Sequence, residues 1–279
     1  MLAIREIASK VPILRPLAIG LLRLTRADIR ITNPWTKHSL FLNSFHHKGY
    51  WFFGKVRENT TMRMLAKCIT TGDTVVEIGG HIGFISQYLS QLVGRSGRVI
   101  VFEPGSNNLP YIRKNLGELP NVTLVEVAVS DECGTAILYE DNVTGQNNSL
   151  LPNYANAEAT AKSHGVRLKK RLALVPVTTL DTYVQAHNLR PDFIKIDIEG
   201  SELNALLGSS NTLANVRGLM VEVTTNHAAV ISLLRERGLQ MFSAEGEELL
   251  DLQFSGNIFA LRAHPDHLKA GEGFASGSG

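Results

Sequence analysis

A strand that runs directly into a glycine-rich loop is the sequence feature that most constrains this fold. Residues Thr74–Ile78 have the β-branched and apolar run of a buried strand, and they lead into Glu77-Ile78-Gly79-Gly80-His81-Ile82-Gly83. Helical spacing of apolar residues follows over Phe84–Val93. Glycines at the carboxyl end of a strand let a ligand touch the backbone, and doubly wound sheets bind ligands in this crevice. A tight turn without a ligand is the alternative, which the three glycines beside Glu77 make the weaker interpretation.

The same order of strand and helix repeats along the chain. Strands that alternate with helices form a parallel sheet covered on both faces, so the pattern predicts an α/β fold with a doubly wound, mainly parallel, seven-stranded sheet. The link between the last two strands is too short for a crossover, so we expect an antiparallel strand near the C-terminus. The predicted strands are 74–78, 98–102, 122–127, 193–196, 219–223, 239–244 and 257–261, and the predicted helices include 84–93, 107–115, 180–187, 201–207 and 228–237.

The chain divides into three parts. Residues 1–58 form an N-terminal extension, and residues 59–263 form the main domain with an insertion at about 140–172. The insertion interrupts the repeating pattern with a polar stretch, which is typical of a lid or a disordered excursion. Residues 264–279 end in glycine and serine and are expected to be a flexible tail without a function.

The N-terminal extension contains an amphipathic helix pattern over residues 17–30, followed by a β-hairpin pattern over 29–42. In the helix pattern leucines lie on one face, and Arg23, Arg26 and Arg30 lie on the other. We expect the apolar face to pack on the main domain. A peripheral contact between residues 17–30 and an anionic membrane surface is the alternative.

Composition narrows the choice of partners and compartment. The chain has 28 Lys and Arg residues against 26 Asp and Glu residues, a formal charge of +2, which is too balanced for a protein whose main partner is nucleic acid. The two cysteines, Cys68 and Cys133, lack metal-ligand spacing, and no secretory signal pattern is evident. A cytoplasmic protein with free thiols is therefore expected.

The glycine loop and the acid after the next strand indicate the kind of cofactor. The loop does not fit Gly-x-Gly-x-x-Gly, the pattern that cradles the pyrophosphate of dinucleotides. It fits Glu/Asp-x-Gly-x-x-x-Gly, the signature of S-adenosylmethionine (SAM)-dependent methyltransferases, and Glu77 suits a ligand with an ammonium and a sulfonium group. The next strand ends at Glu103, whose carboxylate can accept both hydrogen bonds of a ribose diol.

Five stretches, in order between about residues 60 and 225, give the chain a specific resemblance. They are 72–83 (Gly-Asp-Thr-Val-Val-Glu-Ile-Gly-Gly-His-Ile-Gly), 101–104 (Val-Phe-Glu-Pro), 127–131 (Val-Ala-Val-Ser-Asp), 178–181 (Thr-Thr-Leu-Asp) and 194–200 (Ile-Lys-Ile-Asp-Ile-Glu-Gly). With these stretches the chain resembles the FkbM-type family of SAM-dependent methyltransferases. The resemblance implies a Rossmann-like class I methyltransferase fold and SAM as the cofactor.

The resemblance also implies positions for the cofactor. Glu77, Gly79 and Gly83 are expected at its methionine end, and Glu103 at its ribose. Gly80 and His81 replace the Ala-Asn that is commoner in the family, and they are expected to contact the methionine part. The turn that contains Ala128 and Asp131 is expected near the adenine, where an apolar floor and one polar acceptor would suit the ring and its amine.

Acids at the end of the fourth strand are the candidate catalytic residues. Asp197 and Glu199 follow strand 193–196 and are expected to face the transferable methyl group, so Asp197 is counted with the cofactor site as well. A carboxylate there can orient or deprotonate a hydroxyl acceptor. Glu199 has the alternative role of starting the next helix, where its charge favours the helix dipole. His227, which follows Glu222 and the next strand, is a further candidate because its imidazole could reach the same pocket.

A divalent metal is a weaker hypothesis for the same acids. Asp197, Glu199 and Glu222 offer three oxygens, which with waters would suffice for Mg²⁺. Acids at strand ends are common, however, and the sequence fixes no ligand geometry. A metal is therefore not favoured, and no metal ligand is assigned.

The predicted function is SAM-dependent O-methylation of a hydroxyl on a small-molecule, glycan or lipid acceptor. One alternative is an NAD-dependent oxidoreductase, which would share Glu103 but is disfavoured by the glycine loop. The other alternative is a non-catalytic protein of the same fold that binds a partner or a membrane through its basic N-terminus.

Overall fold

A seven-stranded sheet forms the centre of the protein. The computed structural model describes residues 26–154 and 156–262. In chain order the strands are β1 (Asp28–Thr32), β2 (Ser39–Asn43), β3 (Thr74–Ile78), β4 (Arg98–Phe102), β5 (Val122–Val125), β6 (Ala128–Val129), β7 (Gly134–Asp141), β8 (Lys170–Thr178), β9 (Phe193–Ile196), β10 (Gly218–Val223), β11 (Leu239–Phe242) and β12 (Gly256–Arg262). The central sheet has the order β11-β12-β10-β9-β3-β4-β5.

The direction of the strands confirms the predicted doubly wound sheet. β3 pairs in parallel with β4 and with β9, and β9 pairs in parallel with β10. β12 is antiparallel to both of its neighbours, β10 and β11, as expected from the short connection before it. In this register Ile78 lies beside Phe102 and Ile196, so the residues that follow these three strands emerge together at one edge.

Helices cover both faces of the sheet. Successive residues of each strand point to opposite faces, so the strands contribute apolar side chains to two separate cores. Val75 belongs to one core and Val76 to the other, and both are fully buried. A fully buried aliphatic or aromatic side chain contributes about 1.5–3 kcal/mol, so these two layers dominate the stability of the sheet. The helices are α1 (Lys48–Phe53), α2 (Asn59–Cys68), α3 (Phe84–Val93), α4 (Leu109–Leu116), α5 (Asn156–Ser163), α6 (Leu180–Ala186), α7 (Glu202–Leu207), α8 (Ser210–Asn215) and α9 (His227–Glu236), with a 3₁₀ turn at Gly54–Val56.

A second, three-stranded sheet with the order β6-β8-β7 flanks the segment 140–172, where the sequence predicts an insertion. The predicted strand 122–127 ends earlier, at Val125, because the chain leaves the central sheet there and pairs Ala128–Val129 with β8. β7 and β8 form a long antiparallel pair from Gly134↔Val177 to Asp141↔Lys170. The segment 140–172 is thus the far end of this hairpin together with α5.

The N-terminal hairpin is formed as predicted and packs on the main domain. β1 and β2 pair in an antiparallel register, and Leu40 and Leu42 are fully buried in one of the two cores. Asn115 of α4 fixes the hairpin, since its Nδ2 donates to the Phe41 carbonyl at 2.9 Å and its Oδ1 accepts from the Phe41 amide at 2.6 Å.

Two predicted segments are outside the part of the chain that the structure describes. They are most of the amphipathic pattern at 17–30 and the tail at 264–279. Within the described residues, every helix is too short or too polar to cross a bilayer.

Candidate functional site

A cavity of about 900 Å³, including its open mouth, lies at the carboxyl edge of β3, β4 and β9. Doubly wound sheets bind their ligands at this edge. Its lining includes the strand ends of the central sheet with the start of α3, the segment 50–58 before α2, and the second sheet with its loop 145–150.

The glycine loop closes tightly over the end of the sheet. Gly79 has φ +93, and a Cβ there would lie only 1.8 Å from the Asp197 carbonyl oxygen. A Cβ on Gly80 would lie 2.4 Å from Cγ1 of Val101. Gly83 has φ +84 and precedes α3, but it does not line the cavity. Gly79 and Gly80 thus bring their backbone to the cavity, whereas Gly83 provides the turn into the helix.

Three residues around the cavity have left-handed backbone conformations without being glycine. They are Glu58 with φ 57, His81 with φ 50 and Glu199 with φ 58. Such conformations cost roughly 1–3 kcal/mol each and are concentrated at functional sites. Their positions agree with a ligand site at this edge.

Glu103 is buried at the end of β4 and holds the surrounding loops together. Its Oε2 accepts from the His81 amide at 2.7 Å, and its Oε1 accepts from the Gly105 amide at 2.8 Å and from Nδ2 of Asn108 at 3.1 Å. Burial raises the pKa of Glu103 to about 7, although these three donors favour the charged form. Glu103 also lines the cavity.

The cavity wall beyond Glu103 is apolar. Ala128 lies there with Val129 and Leu138, and all three side chains are buried. Asp131 does not reach this wall. It is exposed and accepts hydrogen bonds from Nδ2 of Asn204 at 2.9 Å and from Oγ of Ser130 at 2.8 Å. The structure therefore brings Ala128 to the cavity and leaves Asp131 outside it.

Lys195 is a fully buried cation beneath the glycine loop. Its Nζ lies 3.2 Å from Oε1 of Glu77 and 3.4 Å from Oδ2 of Asp197, and it donates to the Gly79 carbonyl at 3.1 Å. Burial opposes its charge, but the carboxylates of Asp197 and Glu77 raise the pKa of Lys195 above its ordinary value. Glu77 is completely buried and also accepts from Oγ of Ser86, so it supports the loop from below.

Asp197, Glu199 and Glu222 form an acidic cluster whose carboxyl oxygens lie within 4.8 Å of one another. Burial opposes ionisation of Asp197, but Lys195 and a hydrogen bond from Glu222 lower the pKa of Asp197. The charge of Asp197, together with burial, raises the pKa of Glu222, and burial followed by Asp197 raises that of Glu199. The cluster therefore contains one ionised carboxylate, Asp197, with proton-carrying neighbours.

Two members of this cluster face the cavity. Asp197 and Glu199 line it, whereas Glu222 is not part of its wall. His227 begins α9 and is absent from the cavity wall, and its buried Nε2 has no hydrogen-bond partner among the described residues. The structure thus places Asp197 and Glu199 together at the cavity and His227 outside its wall. The sequence alone could not establish this arrangement.

The comparison with known families decides what kind of protein has this geometry. The model of the methyltransferase FkbM domain matches residues 77–241, which is more than half of the chain. The chain belongs to the FkbM methyltransferase family.

Curated relatives of this FkbM-family chain include proteins that are named as methyltransferases. It is 27% identical over 154 residues to Methyltransferase 1 of Beauveria bassiana, covering 48% of this chain and 57% of that protein. It is 22% identical over 174 residues to the hexuronic acid methyltransferase AglP of Haloferax volcanii, covering 62% and 64%. The chain thus spans less than two thirds of the length of each of these relatives.

Solved structures with a similar fold include a SAM-dependent methyltransferase from Aquifex aeolicus. The sequence identity is 14%, and the similarity covers 74% of this chain and 90% of that one, with a TM-score of 0.39.

The FkbM match begins at residue 77, so one wall of the cavity lies outside it. Tyr50, Arg57 and Glu58 line the cavity from the N-terminal extension. The hydroxyl of Tyr50 is 2.9 Å from Nδ1 of His81, and Nε2 of His81 is 2.9 Å from the Thr144 carbonyl. Burial lowers the pKa of His81 to about 4, so it is neutral and links the extension, the glycine loop and the second sheet.

Sequence reasoning missed these wall residues. The only signal for the extension was the aromatic cluster at 50–53, which is equally typical of a core. Sequence reasoning also gave no role to Lys195. Its position within a buried four-residue strand was a usable signal, since a buried lysine needs a charged partner.

Proposed function

We propose that this FkbM-family protein is a SAM-dependent methyltransferase that methylates an oxygen atom of a small-molecule, glycan or lipid acceptor. The observation that carries the proposal is one continuous cavity whose lining contains Glu103 and an apolar wall as well as the Asp197–Glu199 pair. An adenosine needs the first set of residues, and a methyl acceptor needs the second.

The residues present fit this cofactor. Glu103 retains lone pairs for a ribose hydroxyl, Ala128 and Leu138 offer an apolar surface for adenine, and the backbone of Gly79 and Gly80 is free of side-chain obstruction. When bound, SAM supplies a methyl group attached to a positively charged sulfonium. The ionised carboxylate of Asp197 favours a cation in this part of the cavity.

Asp197 has the properties of a group that positions the acceptor. Lys195 keeps it ionised, so it can accept a hydrogen bond from an acceptor hydroxyl and hold the oxygen for in-line attack. The hydroxyl becomes strongly acidic as its oxygen forms the new bond, so even a weak base such as Asp197 can take the proton. Glu199 carries a proton near neutral pH and can donate a hydrogen bond to a second acceptor oxygen.

The test begins with calorimetry, which measures the binding of S-adenosylhomocysteine and of NAD to the protein. S-adenosylhomocysteine should bind and NAD should not, and the reverse result would support the oxidoreductase instead. Labelled SAM is then incubated with a panel of glycans, lipids and small hydroxylated metabolites. Hexuronic acids belong in the panel because the Haloferax relative is named for them. Binding without methylation of any fraction, including whole metabolite extract, would support the non-catalytic alternative.

Metal dependence of the acidic cluster is a separate part of the proposal. We favour a metal-free role because Lys195 already neutralises Asp197, and Tyr154 interacts with Glu199. Methyl transfer should therefore persist after treatment with EDTA. Loss of activity that Mg²⁺ restores would assign the cluster to a metal.

A further inference from the structure

Arg57 brings a guanidinium group into the cavity from the N-terminal extension. Its guanidinium carbon lies 4.3 Å from the centroid of the Tyr50 ring, and its Nη2 lies 3.8 Å from Oε1 of Glu58. The side chain is 19% exposed and lines the cavity together with Tyr50 and Glu58. The cation is therefore held at this wall by the ring and hydroxyl of Tyr50 and by the charges of Glu58 and Asp197, neither of which forms a close ion pair with it.

These contacts leave hydrogen-bonding capacity unused. The Nε of Arg57 is buried and has no hydrogen-bond partner among the described residues. The distance to Glu58 is longer than a hydrogen bond. Since a buried donor without a partner costs free energy, an arginine that is kept in this state is prepared for a ligand.

The position of Arg57 indicates which part of a ligand it meets. Tyr50, on which it stacks, is bonded through its hydroxyl to His81 of the glycine loop. Glu103 and Ala128 line the same cavity, and Glu103 accepts from the His81 amide. A ligand that extends from Glu103 across the glycine loop therefore brings its far end toward Arg57.

The charge around this end is otherwise negative. Glu58 and Asp197 are acidic, and Lys195 is committed to Glu77, Asp197 and the Gly79 carbonyl. A ligand carboxylate at this end thus has one available side-chain cation within the described cavity wall, Arg57. The planar fork of arginine matches a carboxylate with two parallel hydrogen bonds.

We propose that Arg57 is a carboxylate-binding residue that holds the aminoacyl carboxylate of the cofactor. The inference rests on the proposed function, since it assumes that SAM occupies the cavity. It adds a binding residue from the N-terminal extension, outside the residues that match the family model. The carboxylate of an acidic acceptor is the other source of the same chemistry, and the experiment separates the two.

The test compares ligands that differ in the aminoacyl group. Affinities of S-adenosylhomocysteine, decarboxylated S-adenosylmethionine and 5′-methylthioadenosine are measured by calorimetry for the wild type and for Arg57→Met. Loss of a charge-assisted pair should weaken S-adenosylhomocysteine by about 10- to 100-fold. The two ligands without a carboxylate should change by less than about twofold. Arg57→Lys keeps the charge but loses the fork, so it should give an intermediate loss for S-adenosylhomocysteine alone.

The controls keep the result interpretable. Unchanged binding of 5′-methylthioadenosine shows that the variant cavity is folded, and Arg63→Met removes an equal charge from the exposed face of α2 without an expected effect. Equal weakening of all three ligands, or no weakening of S-adenosylhomocysteine, would overturn the inference. The second result would leave an acceptor carboxylate as the partner of Arg57. Failure of the wild type to bind S-adenosylhomocysteine would instead refute the proposed function.

Discussion

Single buried charges determine the chemistry at the carboxyl edge of the sheet. Lys195 is fully buried, which would be very costly without partners, yet Glu77, Asp197 and the Gly79 carbonyl surround its Nζ. This arrangement keeps Asp197 ionised, and the ionised Asp197 in turn favours protons on Glu199 and Glu222. The charge of Lys195 thus favours an ionised Asp197, and through it protonated Glu199 and Glu222.

The first residue-scale prediction concerns Asp197. Asp197→Asn keeps the shape of the side chain but removes the base, so the methyl-transfer rate should fall by roughly 10²- to 10⁴-fold. The affinity for S-adenosylhomocysteine should barely change. Turnover is measured on the acceptor found in the panel, and Asp131→Asn, an identical change at an exposed position, serves as the control. Normal turnover in Asp197→Asn would show that the catalytic group lies elsewhere.

A second residue-scale prediction follows from the pKa of Glu103. Burial raises it to about 7, so the carboxyl is mostly protonated below pH 7 and mostly ionised above it. Ribose hydroxyls donate to the ionised form. S-adenosylhomocysteine should therefore bind up to about tenfold more weakly at pH 6 than at pH 8.

Glu103→Gln isolates this effect from other titrating groups. Glutamine cannot ionise, so the variant should bind about 1.5–3 kcal/mol more weakly at pH 8 and lose the dependence on pH. Calorimetry at pH 6, 7 and 8 measures both quantities. A pH dependence that survives in Glu103→Gln would have to come from another group, such as Glu202, whose pKa burial raises to about 7.

At the scale of elements, the loop between β7 and α5 is organised by one side chain. Oδ1 of Asp141 accepts from the Val143 amide at 2.6 Å and the Thr144 amide at 2.7 Å, and its Oδ2 accepts from the Asn147 amide at 3.0 Å. The Thr144 carbonyl then contacts His81. Asp141 thus holds the loop by three backbone hydrogen bonds, and residues of the loop line the cavity.

Asp141→Ala should consequently release this wall. Three charge-assisted bonds are lost together, so we expect a loss of about 2–4 kcal/mol in the free energy of unfolding. Hydrogen exchange at residues 143–147 should become faster, while exchange in β3 stays slow. Asp141→Asn retains one acceptor oxygen and should give a smaller change. Unaltered exchange at 143–147 would mean that other contacts hold the loop.

The bounds of the helices and strands show which parts of the fold could be predicted from the sequence. β3, α3, β4 and β9 begin and end where their apolar runs and glycines predict, because each is a short buried strand or an amphipathic helix with clear ends. β8 was missed, since it places Leu172 and Leu174 on an exposed face and buries little beyond Val175. The cavity residues of these predicted strand ends were found, but Tyr50 and Arg57 reach the site only through tertiary packing, which no local pattern records.

At the scale of the whole molecule, the two edges of the central sheet have different roles. The carboxyl edge carries the cavity, whereas the amino edge carries an ion pair between Arg217, just before β10, and Asp73, just before β3. Nη2 of Arg217 lies 2.6 Å from Oδ2 of Asp73, and Nη1 lies 3.2 Å from Oδ1. Arg217 also donates to the Cys68 carbonyl at 3.1 Å, so it joins α2 to the sheet. Since Glu222 lies five residue steps after Arg217 along an extended strand, the two edges are about 17 Å apart.

Arg217→Met should therefore change stability without changing the site. Asp73 is 8% exposed and Arg217 is 31% exposed, so partial solvent screening limits the expected loss to about 1–3 kcal/mol. For a domain of this size that loss corresponds to about 2–12 °C in the melting temperature. The affinity for S-adenosylhomocysteine should stay within about twofold of the wild type, because the cavity lies at the opposite edge. Thermal unfolding and calorimetry measure the two quantities on the same sample, with the exposed Arg190→Met as the matched control. A weakened affinity with an unchanged melting temperature would contradict this division, since it would mean that the amino edge acts on the site and not on the stability of the sheet.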